Sequence, residues 1–321
     1  MTRPRQEGPT GKVFTMSATQ RLDASESFWF ARELEAIKTQ ILVREIPEFK
    51  GRSLVPVASG VPAGSAVYTY QELDEVGIAA FVNGFAKDLP RVDVVGRETS
   101  SPIRPIGASY GYTTANIRQA RLTGRSLPVA KADAARRAIE AKIDLICQIG
   151  DIGQGIRGLF TLTGVNSYVI PNGSSGSPLW STKTATEMLA DLQGFGHRAS
   201  VVTNEVHPSD TIAMSIDQYN LISTKQINSA SDRTVLEHFL ATSPYIKQIV
   251  AWYACVGRGA AGSTRMVAFR RDPMCIEQII PMEYTQSEPQ PDGLSYVVPC
   301  EAEVGGVVAY RPLSITYADG A

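Results

Sequence analysis

The chain has 321 residues, 43% hydrophobic and 20% charged, enough for one large or two medium domains and too apolar for a disordered chain or a fibre. Thirty-one Lys and Arg face thirty-two Asp and Glu, so the formal net charge is −1. The basic excess with which a dedicated DNA-binding protein displaces counterions from phosphates is missing.

Residues 1–24 are polar and read as a flexible arm, without the apolar core of a signal peptide. Residues 25–42 predict an amphipathic helix. Phe30, Leu34, Ile37 and Ile41 form its stripe, Phe28 and Trp29 add aromatic bulk, and Ser25 or Ser27 can cap it. From 52 to 106 the pattern is β. Tyr68 and Tyr70 alternate with Thr69 and Gln71, and Val76, Ile78, Ala80 and Val82 lie at period two. The run 88–91 interrupts it before Val92 and Val94. So long a hairpin-like stretch with modest apolar content cannot form its own core and needs a neighbour to lie on.

Residues 113–123 predict a short helix ending at Gly124. Residues 126–149 predict the clearest helix, roughly 35 Å long. Ala132, Ala135, Ile139, Ile143 and Ile146 share a face, Pro128 sits in the first turn and Gly150 ends it. Residues 151–264 read as mixed α/β. Thr184 and Glu187 match a capping box for a helix that Gly194 closes. A buried strand is expected at 211–215, helices at 217–223 and 234–240, and Gly- and Ser-rich loops at 172–178 and 257–263. The remainder returns to β, with strands at 266–269, 275–281, 294–299 and 304–317. No stretch approaches eighteen consecutive apolar residues, so no membrane span is expected, and a cytoplasmic product is.

Chemical motifs are weak. Gly153, Gly155 and Gly158 spell GxGxxG, but a long helix precedes them and a strand at 159–162 is expected after them, the reverse of a dinucleotide site. A helix stop and turn explains them better. Asn172 to Gly176 lacks the GxSxG of a nucleophile elbow. Glu205 and His207 read as a solvated turn beside Pro208. Phe269 to Asp272 reads as a charged strand end. Cys147, Cys255, Cys275 and Cys300 form no CxxC pair and read as buried reduced thiols. No P-loop occurs, and the carboxylates are too scattered for general acid/base work. No enzyme, cofactor or metal site is expected.

The order of elements is more informative: arm and helix, coreless ribbon, long helix, α/β middle, terminal strands. It resembles the Hong Kong 97 phage capsid fold, an α+β fold shared by tailed-bacteriophage major capsid proteins and encapsulins. From about residue 28 onward the chain is similar to a family of phage major capsid proteins. The stretches that carry this are 30–35, 87–93, 106–112, 134–139, 235–240, 270–273, 297–300 and 317–320. The resemblance implies an N-terminal arm and helix at 1–51 and an extended loop at 52–106. It implies a peripheral domain at 107–159 and 265–321 with its spine helix at 126–149, and an axial domain at 160–264.

It also implies a capsid subunit, assembled in a bacterial cytoplasm into pentamers and hexamers of an icosahedral virion shell around packaged double-stranded DNA. An encapsulin-like compartment is the alternative. Expected partners are other copies of the chain, a separate scaffolding protein (only some twenty-five residues precede the matched region), a portal, a possible decoration protein and DNA held non-specifically. Expected inter-subunit contacts are Phe28, Trp29, Tyr70, Phe85, Lys87, Asp88, Arg91 and Asp93. The last asparagine is Asn228. A self-formed crosslink from Lys87 to an asparagine of the terminal strands, as some relatives make, is therefore not expected.

Near-neutral charge predicts that isolated subunits bind DNA weakly, with affinity falling steeply as salt rises. Mobility-shift titrations at two salt concentrations check this; tight binding at physiological salt would contradict it.

Overall fold

A computed structural model describes residues 47–77, 91–123, 129–228 and 232–320. The chain divides into two compact units, Met1–Glu48 and Phe49–Ala321, and all the described secondary structure lies in the second. The helix expected at 25–42 lies outside the described residues.

After the single turn α1 (Gly51–Leu54), strands β1 (Val67–Val76) and β2 (Asp93–Pro102) form an antiparallel ribbon, in register from Val67↔Pro102 to Val76↔Asp93. Strand β3 (Arg104–Thr113) leads into α2 (Thr114–Thr123), and the long helix α3 (Val129–Ile149) follows. Ala135, Ile139, Ile143 and Ile146 of α3 are buried as the spacing required; Ala132 is only half-buried. Gly150 ends the helix at φ +71°, where a Cβ would come within 2.3 Å of the Ile156 carbonyl.

A tight hairpin comes next, β4 (Gly150–Asp151) with β5 (Ile156–Arg157). The strand expected at 159–162 is instead a turn. Its amides are taken by the end of α3: Leu159 N donates to Cys147 O (2.7 Å) and Phe160 N to Gln148 O (2.9 Å). The helix's orphan carbonyls outcompete a ladder. Then follow β6 (Asn166–Tyr168), α4 (Ala185–Gly196), α5 (Arg198–Val202), β7 (Thr211–Met214), α6 (Ile216–Thr224), α7 (Val235–Thr242), β8 (Gln248–Ala251) and β9 (Arg265–Phe269). Helices α4, α6 and α7 each start with a complete capping box, at Thr184/Glu187, Ser215/Gln218 and Thr234/Glu237. Helix α4 runs past Gly194 to Gly196. Gly194 is there for packing, since a Cβ would lie 2.4 Å from the Tyr168 hydroxyl.

The last strands are β10 (Ile276–Ile279), β11 (Met282–Gln286), β12 (Gln290–Asp292), β13 (Ser295–Val304), β14 (Gly306–Ala309) and β15 (Thr316–Asp319). The single strand expected at 304–317 is thus broken. Gly306 has φ +75° and its Cβ position lies 2.4 Å from Arg157 O, while Pro312 opens a short 3-10 turn. Leu313, expected on the period-two face, is exposed in that turn.

Two sheets organise the body. In the first, β6-β15-β9-β7-β8, every interior strand is buried on both faces. Ile212, Met214, Met266, Ala268 and Ala318 face Met188, Leu192, Phe195 and Phe239 of α4 and α7. Ala213, Val267, Phe269 and Tyr317 face Leu159, Phe160, Trp252 and Val307 on the other side. Alternating side chains feed the two cores. In the second sheet, β13 is central, with β3 along one edge and β11 and β12 along the other. Helix α3 covers one face of it, setting Ala135, Ile139 and Ile143 against Val298, Cys300 and Ala302. All four cysteines are buried and unbridged, and burial pushes the Cys147 and Cys255 thiols up.

Among the described residues one ion pair is buried, and it ties the 171–183 loop to α4. Lys183 Nζ lies 2.5 Å from Asp191 Oδ2, with both side chains almost inaccessible. The Trp180 indole donates to the same oxygen (3.0 Å), and Lys183 also donates to Pro171 O (2.6 Å). Glu187 accepts from the Thr184 and Ser174 amides, which hold its carboxyl down to about 2 and tie the 171–183 loop to α4.

Ile143 has no exposure. Ile143→Ala should cost about 2–5 kcal/mol, measured by urea unfolding of unassembled subunits. Leu122→Ala, on an exposed side chain, should stay within about 0.5 kcal/mol.

Candidate inter-subunit surface

The ribbon is held at its base by tyrosines. In the antiparallel register, Tyr68 and Tyr70 lie on one face of β1 with Ser101 and Thr99 of β2. The Tyr68 hydroxyl lies 2.8 Å from that of Tyr310, which donates to Glu277 Oε2 (2.7 Å). The rings of Tyr70 and Tyr310 meet edge to face at 4.9 Å. Ser101 Oγ donates to Gly305 O (3.1 Å), and Ile103 N to Ala66 O (2.9 Å). Ile103, Ala58, Ile279 and Val308 make the small core beneath. Burial and the Glu277 charge push the Tyr310 phenol above its ordinary range.

Beyond this clamp, large aliphatic side chains of the ribbon are exposed. Val67 and Leu73 share the opposite face with Val94, and Leu73 is 68% and Val94 53% exposed. Val92, just before β2, is 70% exposed. Even on the tyrosine face, Val95 is exposed, because the body no longer covers the strand there. An isolated two-stranded ribbon is marginal in water, and this one presents four large aliphatic side chains to solvent.

A second anchor fixes the point where the chain enters the body. Asp144 sits on the buried stripe of α3 and accepts from Gly51 N (2.8 Å) and Gln148 Nε2 (2.7 Å), while the Tyr253 hydroxyl lies 3.4 Å from it. Gly51 is needed here because a Cβ would come within 2.6 Å of Asp144 Oδ1. Lys50 Nζ donates to Ala251 O (3.0 Å), and Arg52 pairs with Glu140 and Glu283.

Of the contact residues expected from the sequence, Tyr70 is in the clamp, turned toward its own chain. Arg91 and Asp93 are exposed at the far end of the ribbon, and Asp93 accepts the Val94 amide (2.8 Å). Phe28, Trp29, Phe85, Lys87 and Asp88 lie outside the described residues. Sequence reasoning missed Asp144, Gln148, Glu277 and Tyr310. The first two carry a readable signal, polar residues on an apolar helical stripe; the others have none.

The chemical motifs resolve into structure. Gly155 adopts φ +72° in the β4–β5 turn, and a Cβ on Gly158 would collide with Gly150 N at 2.4 Å, so the GxGxxG glycines serve a tight hairpin. Asn204 and Glu205 both have positive φ in an exposed turn. Burial and nearby Arg311 and Arg270 lower the His207 pKa. Arg270 pairs with Asp272 at a strand end. Among the described residues no group of His, Cys, Asp or Glu is arranged to hold a metal ion, and no helix is long and apolar enough to cross a membrane.

The described ribbon is thus clamped at its base and carries exposed aliphatic side chains away from it. Comparison with known proteins names the family. The model of the major capsid protein family matches residues 77–321, and the chain belongs to that family. Among solved structures, it is similar to the capsid of Myoviridae phage XM1 at 17% identity and TM-score 0.80, covering 92% of this chain and 99% of that one. It is also similar to a Mycobacterium phage Ogopogo structure (12%, TM-score 0.58, 94% and 100%). A third likeness is to a virus-like particle from Pyrococcus furiosus (15%, TM-score 0.52, 83% and 90%). No curated protein sequence matches. The fold is the Hong Kong 97-type phage capsid fold, and the protein forms capsid shells.

Tyr310→Phe removes the hydroxyl that joins Tyr68 to Glu277. It should cost about 1–2 kcal/mol and speed amide exchange at the ribbon base. Because the folded-state phenol ionises above 10, this contribution is complete below pH 10 and fades as pH rises further. Urea titrations of unassembled wild type and variant on both sides of pH 10 check it.

Proposed function

We propose that this chain is the major capsid protein of a tailed bacteriophage. It builds an icosahedral shell of pentamers and hexamers around double-stranded DNA, and that shell is assembled in the host cytoplasm. One observation supports the reading: the ribbon's aliphatic face, with Leu73 and Val94, is exposed. Another copy covers it in a head-to-tail contact that closes into rings. Many such contacts acting together make a stable shell even where each is modest.

On this reading, residues 1–51 are the arm and 52–106 the extended loop. Residues 107–159 and 265–321 form the peripheral domain around α3, and 160–264 the axial domain at the capsomer centre. Phe28, Trp29, Phe85, Lys87, Asp88, Arg91 and Asp93 meet neighbours, and Tyr70 holds the ribbon at the angle that lets them do so. A separate scaffolding protein, a portal and a decoration protein are its partners. On this reading the function is structural and calls on no catalytic residue.

The likeness to the Pyrococcus furiosus virus-like particle favours a second reading, an encapsulin-like compartment. The contents of the particle decide between them: packaged DNA for the first, an enclosed enzyme for the second.

Purified wild type should show hollow shells by negative-stain microscopy. Leu73→Asp with Val94→Asp should leave the unassembled fold intact, within about 0.5 kcal/mol for each exposed site, and abolish shells. Shells from the double variant at wild-type yield would remove the ribbon from the assembly contact.

A further inference from the structure

We propose that helix α2 docks on the acidic free edge, β11–β12, of a neighbouring copy. This contact is separate from the ribbon, made by side-chain charge, and rests on the shell reading above. Helix α2 has ten residues and buries none of them. Thr114, Ile117 and Ala120 are half-covered on one side, while Arg118, Gln119, Arg121 and Leu122 are exposed on the other, Leu122 at 89%. A helix this short is marginal in water without tertiary cover. Its outward face therefore fits a partner that offers negative charge beside apolar surface. No ion pair among the described residues involves Arg118 or Arg121.

The complement lies elsewhere in the same chain. Between 99 and 132 there are five basic residues, Arg104, Arg118, Arg121, Arg125 and Lys131, and no acidic one. Between 272 and 310 there are seven acidic residues and no Lys, Arg or His. These segments are partners in one sheet. β3 runs along one edge of β13 and leads into α2, whereas β11 and β12 hold the other edge. A chain that is nearly neutral as a whole is thus charge-polarised across one sheet. Glu288 and Asp292 on the free edge are exposed and take part in no ion pair among the described residues.

That edge is closed to strand addition. Pro289 and Pro291 remove two amide donors, and the register of β11 shifts between Met282 and Thr285. What it offers a neighbour is carboxylates, with the exposed Leu294 beside them. This matches α2 in both charge and apolar content. A phosphate backbone would match the arginines alone and leave Leu122 in water. A basic edge on an acidic edge is a heterologous contact, the kind that closes into rings. Exposed charges of this sort set encounter rate and register, and salt screens them.

The test is charge reversal and rescue in the full chain. Wild type must form shells; if it does not, the shell reading fails and not this contact. Arg118→Glu with Arg121→Glu should lower shell yield roughly tenfold at low salt while the unassembled subunit melts as wild type. Glu288→Arg with Asp292→Arg should do the same, and the four changes together should restore shells. Wild-type yield from the arginine reversal, or no restoration in a combined variant that melts normally, overturns the proposal. So do reversed-arginine shells that form normally but hold less nucleic acid, which would place α2 against the packaged genome.

Discussion

A two-stranded ribbon can bury at most one face against the chain it belongs to. Here that face is used only at the base, where Tyr68, Tyr70, Tyr310 and Glu277 form a hydrogen-bonded clamp. Distal to it, Leu73, Val94 and Val95 are exposed, the surface that the proposed contact with another copy would use. The ribbon is kept extended by the register of β1 with β2 and is tied to the body by the clamp.

The body is built the opposite way. The interior strands of its five-stranded sheet are buried on both faces, and α3 covers one face of the second sheet. Two sets of buried polar groups bond to one another in this interior. Lys183, Asp191 and Trp180 brace the 171–183 loop, and Asp144, Gly51 and Gln148 fasten the entering chain to α3. Removing one member of such a set leaves an uncompensated buried charge, which costs more than the set as a whole contributes.

Charge follows the same division. The chain is near neutral overall, yet the sheet beneath α3 separates an acid-free stretch from a base-free one. Near-neutrality of the whole disfavours tight binding of a polyanion, while local charge separation is the kind of feature that orients one subunit against the next.

Local, periodic features were legible in the sequence. The 3.6-residue stripe of α3, the capping box at Thr184, the alternation in β1 and the modest apolar content of the ribbon all follow from near-neighbour chemistry. The turn at Gly153–Gly158 was legible too, but the strand after it was not: Leu159 and Phe160 give their amides to the last carbonyls of α3, a competition invisible in a linear pattern. The break at Gly306 and the continuation of α4 through Gly194 were decided by backbone and ring contacts from residues far away in the chain, Arg157 and Tyr168. The Tyr310–Glu277 clamp and the pairing of β3 with β13 likewise join residues about two hundred positions apart or held by other strands. Sequence by itself determined which segments could not bury themselves, because burial capacity is a property of composition and period. Only the tertiary structure decided where they are anchored and which faces remain open, because those depend on distant residues meeting in space.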